Sequence, residues 1–234
     1  MTWVKICGIT NLEDALTAID AGANALGFVF YAKSPRNVDP QDVGRMATEL
    51  PEQIERVGVV VPRSMDEIRF VAKAARVTAL QLHLSLMAPL LDSSSSYTTD
   101  TFASASKIFM ALPAGPFIER QSSPDFAVLR GAGLPKGIFD TVFLDSGTPD
   151  QPGGTGRTFD WHAAVPLVVD MRKQVNVVLA GGLNPENVAD AIGVLHPWGV
   201  DVSSGVEASP GKKDPEKVRA FVRAVREADK ASQN

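Results

Sequence analysis

Cys7 is the only cysteine in 234 residues; it closes the apolar run WVKIC and stands directly before Gly8. A thiol in such a place is either a small buried hydrophobe or, once ionised, a nucleophile or proton acceptor. Lys5 lies two residues earlier, on the same face of an extended strand and roughly 7 Å away. Asp145 ends the run TVFLD, where a carboxylate serves as a loop cap or as an acid-base group. In ALQLHL, Gln81 and His83 share a strand face. They form either a satisfied interior pair or two polar groups aimed at a ligand. Arg36, in KSPRN, carries a fork suited to a carboxylate, although a loop arginine is equally at home in water.

Three glycine-rich stretches add a second kind of chemistry. GGTGR contains Gly154 and Gly156, the pair Gly181-Gly182 follows NVVLA, and SSGVE contains Ser204 and Gly205. Glycines let backbone N–H groups approach an anion closely, and in barrels the loops after the last two strands often hold phosphate. Either glycine pair alone would be read as a tight turn; on successive strands they favour a phosphorylated small molecule.

Composition excludes other partners. The net charge is −4 with no basic stripe, which argues against a nucleic-acid surface. No apolar run approaches the roughly 18 residues of a membrane span, and the N-terminus has no signal-peptide core. A single cysteine suits a reducing cytoplasm. His83, His162 and His196 are scattered, without metal-ligand spacing, so no metal site is expected.

The elements that must position these groups alternate. Strands are expected at 3–7, 25–30, 56–61, 79–84, 107–112, 141–145, 176–180 and 199–203, nearly all rich in Val, Ile and Leu. Helix starts fall between them: Thr10-Asn11, Asp39-Pro40 and Ser64-x-x-Glu67 are capping signatures, and Gly22 is a plausible stop. Eight such units predict an α/β fold, a single (β/α)8 TIM barrel over residues 1–234, with functional side chains at the carboxyl ends of the strands. An open dinucleotide-binding sheet is disfavoured, because CGITNLED lacks the G-x-G-x-x-G fingerprint. Residues 85–106 are Ser/Thr-rich and read as a surface loop after strand 4. The proline-punctuated stretch 113–140 reads as similarly loose.

KICGIT, SPRNV, LQLH, LDSG, GGTGRTFDW, LAGGLNPENV, DVSSGVE and PGKKD, in that order, resemble the phosphoribosylanthranilate isomerase family of tryptophan biosynthesis across essentially the whole chain. The resemblance implies a (β/α)8 barrel and a cofactor-free Amadori rearrangement of N-(5-phosphoribosyl)anthranilate. It implies Asp145 as general acid, Cys7 as general base and Arg36 as ligand of the anthranilate carboxylate. Gly154, Gly156, Gly181, Gly182, Ser204 and Gly205 match the phosphate cradle, and Gln81, His83 and Asp201 complete the expected substrate site. Lys5 is expected to pair with Asp201 across strands 1 and 8 and to help ionise Cys7; burial is expected to raise the pKa of Asp145. The chain is expected to be a monomer or homodimer, or a domain of a multifunctional pathway enzyme, since the family domain also occurs fused to neighbouring pathway enzymes. Leu84 replaces the family's usual Gly after QLH, Arg157 replaces the usual Lys, and the Ser-rich stretch is long. Indoleglycerol-phosphate synthase would want catalytic lysines and a glutamate at strand ends, and the histidine-pathway isomerase an aspartate at position 7. An inactive metabolite-binding barrel would have lost Cys7 or Asp145.

Overall fold

The computed structural model describes residues 1–61, 64–83, 107–119, 139–147 and 157–232. Eight parallel strands close into a barrel in chain order. They are β1 (Trp3–Cys7), β2 (Ala25–Phe30), β3 (Glu55–Val60), β4 (Ala79–His83), β5 (Lys107–Pro113), β6 (Phe139–Asp145), β7 (Asn176–Leu179) and β8 (Gly199–Val202). Closure is by β1 against β8, where Lys5 stands opposite Asp201, while on the other side Cys7 stands opposite Gly27.

Both faces of such a sheet are covered, so its strands are apolar throughout and strand parity alone divides them. Val4, Ile6, Leu26, Phe28, Leu80 and Leu82 turn outward into the layer beneath the helices. Ala25, Val57, Ala79, Phe109, Phe143 and Val178 turn inward. The lower interior is filled by aromatic rings. Phe109 and Phe143 lie 5.6 Å apart, Trp3 meets both edge-on, and Trp3 stacks on Trp198 at 5.1 Å. Such pairs add stability beyond the area they bury. With the floor filled, only the upper layer is free to be polar.

The helices begin where side-chain oxygens can take the first orphan N–H groups. Asn11 caps α1 (Leu12–Asp20), Asp39 caps α2 (Pro40–Met46), and Ser64 caps α3 (Met65–Ala74) by accepting from the Glu67 N–H. Gly22, at φ +99°, ends the turn after α1 in the left-handed region that glycine tolerates. Residues 113–119 correct the expectation of a loose segment: Pro113 ends β5, and α4 (Ala114–Glu119) follows at once. Pro116 is accommodated in the first turn, where no intrahelical N–H bond is lost. Then come α5 (Trp161–Met171), α6 (Val188–Leu195) and α7 (Pro215–Ala231). Leu84, the Ser-rich stretch 85–106 and residues 120–138 lie outside the described residues. Among the described residues, no helix is long and apolar enough to cross a membrane.

The last helix locks the first strand. Asp229 on α7 accepts from the Thr2 N–H at 3.0 Å and its hydroxyl at 2.6 Å, and Arg226 donates to the Thr2 carbonyl at 2.6 Å. Phe143 is fully buried between the barrel floor and Lys5, whose ammonium lies 5.1 Å from its ring centroid. Phe143→Ala should therefore cost about 3–5 kcal/mol. A lowered urea midpoint with an unchanged denaturant slope checks this.

Candidate functional site

The carboxyl ends of the strands enclose one cavity of about 390 Å³, within the size range of small-molecule sites. Cys7, Gln81, His83, Asp145 and Asp201 line it from the strands, and Arg36 overhangs it from the loop after β2. Gly181, Gly182 and Ser204 also contribute to its wall. Gly205 is next to Ser204 but does not itself line the cavity, and Gly154 and Gly156 lie outside the described residues.

Lys5 is completely buried and donates from Nζ to Asp201 Oδ1 at 3.0 Å, the pairing that strand adjacency predicts. Burial works against both charges, but Asp201 and the neighbouring Cys7 hold the Lys5 ammonium above its usual pKa. Gly27 creates the space. A β-carbon there would fall 2.7 Å from Cys7 Sγ and 2.9 Å from Lys5 Cε.

The expectation that Lys5 ionises Cys7 needs correction. Burial raises the Cys7 pKa, and the pull of Lys5 toward the thiolate does not overcome it, partly because Asp201 adds an opposing negative charge. At neutral pH Cys7 is therefore a neutral thiol. Asp145 behaves as the sequence suggests. Burial pushes its pKa up to about 6, against the stabilising hydrogen bond that Oδ1 accepts from the Gly147 N–H at 2.7 Å. His83 is driven down to about 4 by burial and by Lys5, so it is a neutral imidazole at physiological pH.

Two buried polar atoms in the cavity wall, Gln81 Oε1 and Ser203 Oγ, have no hydrogen-bond partner among the described residues. Unpaired buried groups are costly, and a ligand hydroxyl would satisfy them. Ser203 was not singled out in the sequence, because beside Ser204 it looks like one more turn residue.

The glycine loops are built by close backbone contact. Gly181 and Gly182 adopt φ +83° and +67°, where a side chain would be strained. A β-carbon on Gly182 would overlap the Arg157 backbone, and one on Gly205 would overlap the Leu183 carbonyl. Loops after β6, β7 and β8 thus interlock, and Ser204–Val206 forms a short 3-10 turn at the mouth. Asn187 adds rigidity, donating to the Gly182 carbonyl at 3.0 Å.

Arg36 grips a carboxylate as a fork, but within the protein it is Glu207 that it grips. Nε and Nη2 bond the two Glu207 oxygens at 2.8 and 2.7 Å. Gly8, at φ +77°, lets the arginine stem lie across it; a β-carbon would meet Arg36 Cδ at 2.6 Å. Glu207 also accepts from Lys213 Nζ at 3.0 Å, and both residues are buried. Sequence reasoning missed Glu207 and Lys213. The available signal was charge in SSGVE and GKK, directly beside a glycine-rich strand end.

The class this defines is a (β/α)8 barrel with a polar small-molecule pocket at the carboxyl ends of its strands. A family model described as N-(5'phosphoribosyl)anthranilate (PRA) isomerase matches residues 4–100 and 118–224, and the chain belongs to that family. It is 40% identical over 232 residues to the N-(5'-phosphoribosyl)anthranilate isomerase of Prosthecochloris aestuarii, covering 99% of this chain and 98% of the relative. With the Thermotoga maritima enzyme it shares 42% over 223 residues, or 95% and 98% of the two chains. The crystal structure of the Thermotoga maritima phosphoribosyl anthranilate isomerase superposes with a TM-score of 0.74, covering 97% of this chain and all of that one.

Because Cys7 is the sole thiol, its ionisation can be read directly. Alkylation by iodoacetamide should be slow at pH 7 and accelerate only above the ordinary thiol range near about 8.5. A rate that levels off below pH 8 would contradict the burial argument.

Proposed function

We propose that residues 1–234 act as one barrel that isomerises N-(5-phosphoribosyl)anthranilate to 1-(2-carboxyphenylamino)-1-deoxyribulose 5-phosphate, an Amadori rearrangement in tryptophan biosynthesis. The observation that carries the reading is a carboxyl group with its pKa raised to about 6 sharing one cavity with a buried thiol. Related proteins support the substrate: a phosphoribosyl anthranilate isomerase has been solved with reduced 1-(o-carboxyphenylamino)-1-deoxyribulose 5-phosphate, and it superposes at 37% identity with a TM-score of 0.72.

Protonated Asp145 gives its proton to the furanose ring oxygen. The C1′–O bond breaks as the nitrogen lone pair forms a C1′=N iminium. Cys7, as thiolate, then takes the proton from C2′, and the C–H electrons form the C1′=C2′ bond of an enolamine, neutralising the nitrogen. Tautomerisation adds a proton to C1′ and removes one from the C2′ hydroxyl, leaving the ketone. Proton exchange between thiol and carboxylate restores the starting form. Around this pair, Gly181, Gly182, Ser204 and Gly205 present the loops for the phosphate, and the free edge of Arg36 takes the anthranilate carboxylate. Gln81, His83 and Ser203 are placed for ribose hydroxyls, and Asp201 fixes Lys5. The enzyme is proposed to work in the cytoplasm as a monomer or homodimer; the related Thermotoga maritima enzyme is described as dimeric.

Cys7→Ala and Asp145→Asn should each lower kcat by about 10²–10⁴ with thermal stability retained, measured by the fluorescence change of the aminobenzoate group. Wild-type turnover in either variant would refute the assignment. The pH dependence follows from the proton count. The reacting form, Asp145 protonated and Cys7 ionised, carries as many protons as the dominant neutral-pH form, in which the charges are exchanged. Its share rises as pH passes about 6, stays level, and falls only beyond the raised pKa of Cys7. The profile of kcat/KM should therefore show a broad plateau whose alkaline limb lies above the normal thiol range.

A further inference from the structure

We infer that Glu207 and Lys213 are the positioning residues that set selectivity for a carboxylated ring; this rests on the isomerase reading above. Glu207 engages Nε and Nη2 of Arg36 with both oxygens, a planar double contact that fixes the guanidinium. Nη1 has no hydrogen-bond partner among the described residues, and Arg36 lines the cavity. The geometry leaves one edge of the fork for an incoming anion.

That arrangement has an electrostatic problem, because a carboxylate on Arg36 already cancels the charge a second carboxylate would seek. Lys213 resolves it. Its Nζ bonds Glu207 Oε1 at 3.0 Å and the Ser203 carbonyl at 3.2 Å, from a side chain with no solvent exposure. Burial lowers the Lys213 pKa, and the Glu207 carboxylate works against that loss of charge. Burial would raise Glu207, but hydrogen bonds from Arg36 and Lys213 hold it below the usual range, so it stays ionised. Two cations and one anion leave the triad one net positive charge, directed through Arg36. The Gly211 N–H, 3.3 Å from Glu207 Oε1, closes the hairpin of β9 (Glu207–Ser209) and β10 (Lys212–Lys213) around it.

Charge and position make opposite forecasts for Glu207→Gln. Removing a negative charge beside Arg36 should, by Coulomb's law alone, tighten anion binding. Losing the fork that orients Arg36 should weaken it. The test is calorimetric binding of two stable product analogues: reduced 1-(o-carboxyphenylamino)-1-deoxyribulose 5-phosphate and its phenylamino counterpart lacking the carboxylate. Wild type should prefer the first. In Glu207→Gln that preference should shrink about tenfold or more, with affinity for the second unchanged. Lys213→Met should shrink it likewise, and Lys213→Arg should restore most of it, which keeps the test decisive where Glu207→Gln fails to fold. An unchanged or increased preference in a folded variant overturns the inference. Failure of the wild type to turn over N-(5-phosphoribosyl)anthranilate would instead overturn the isomerase reading.

Discussion

A lysine ammonium sealed inside a barrel is the constraint around which the rest of this structure is arranged. Lys5 has no access to water, and an unpaired buried charge would cost several kcal/mol. Its counter-charge comes from Asp201, which only barrel closure can deliver, since the two residues are 196 positions apart and meet where β8 pairs with β1. The aromatic floor below supplies a π face, and Gly27 on β2 leaves the room. Fold and site are thus coupled: the ion pair requires the barrel to close in register, and Cys7, two residues on along β1, shares the same ammonium.

The inner layers divide the labour. Phe109, Phe143 and Trp3 fill the lower interior with surfaces that need no polar partners, so the polar groups are concentrated in one upper layer. There, desolvation acts on every titratable group at once. It raises Asp145, raises Cys7 and lowers His83, and in each case it favours the neutral form. At neutral pH this leaves Cys7 and His83 uncharged and brings Asp145 near enough to its pKa of about 6 to hold a proton part of the time. The interlocked loops above the strand ends serve the opposite purpose, offering backbone dipoles where a fixed negative charge is to be held.

Much of this is legible in the amino-acid order. Buried parallel strands must be apolar on both faces, so eight Val/Ile/Leu runs mark eight strands, and parity assigns Lys5, Cys7, Gln81 and His83 to the interior without coordinates. Three things are not legible, each for a physical reason. α4 hides behind prolines, because sequence cannot say that Pro116 falls in a first turn instead of a helix interior. The Arg36–Glu207–Lys213 cluster joins loops 171 positions apart and depends on how two barrel loops fold over each other. The direction of the Cys7 shift is a balance between a neighbour that parity reveals and a desolvation that only packing determines. Proximity to Lys5 favours the thiolate, yet burial outweighs that pull and Asp201 adds to the opposition.

A neutral resting thiol is compatible with proton abstraction if the reaction brings its own cation. Opposite unit charges about 4 Å apart attract by about 4 kcal/mol at an effective dielectric of about 20. An attraction of that size favours the thiolate and lowers the pKa of a nearby thiol. Lys5 does not suffice, because its pull is opposed by burial and by Asp201, 3.0 Å from its Nζ. A ring-opened iminium can, since it is a new cation formed in the same cavity as Cys7, with no ion partner built into the protein for it. On this account the acid step creates the field that activates the base, and the order of the two proton transfers is enforced by electrostatics. Glu207 and Lys213 extend the same economy of charge to the far end of the substrate. They hold Arg36 fixed and singly positive in sum, so that the ring carboxylate is received there and kept from competing with Cys7 for the iminium.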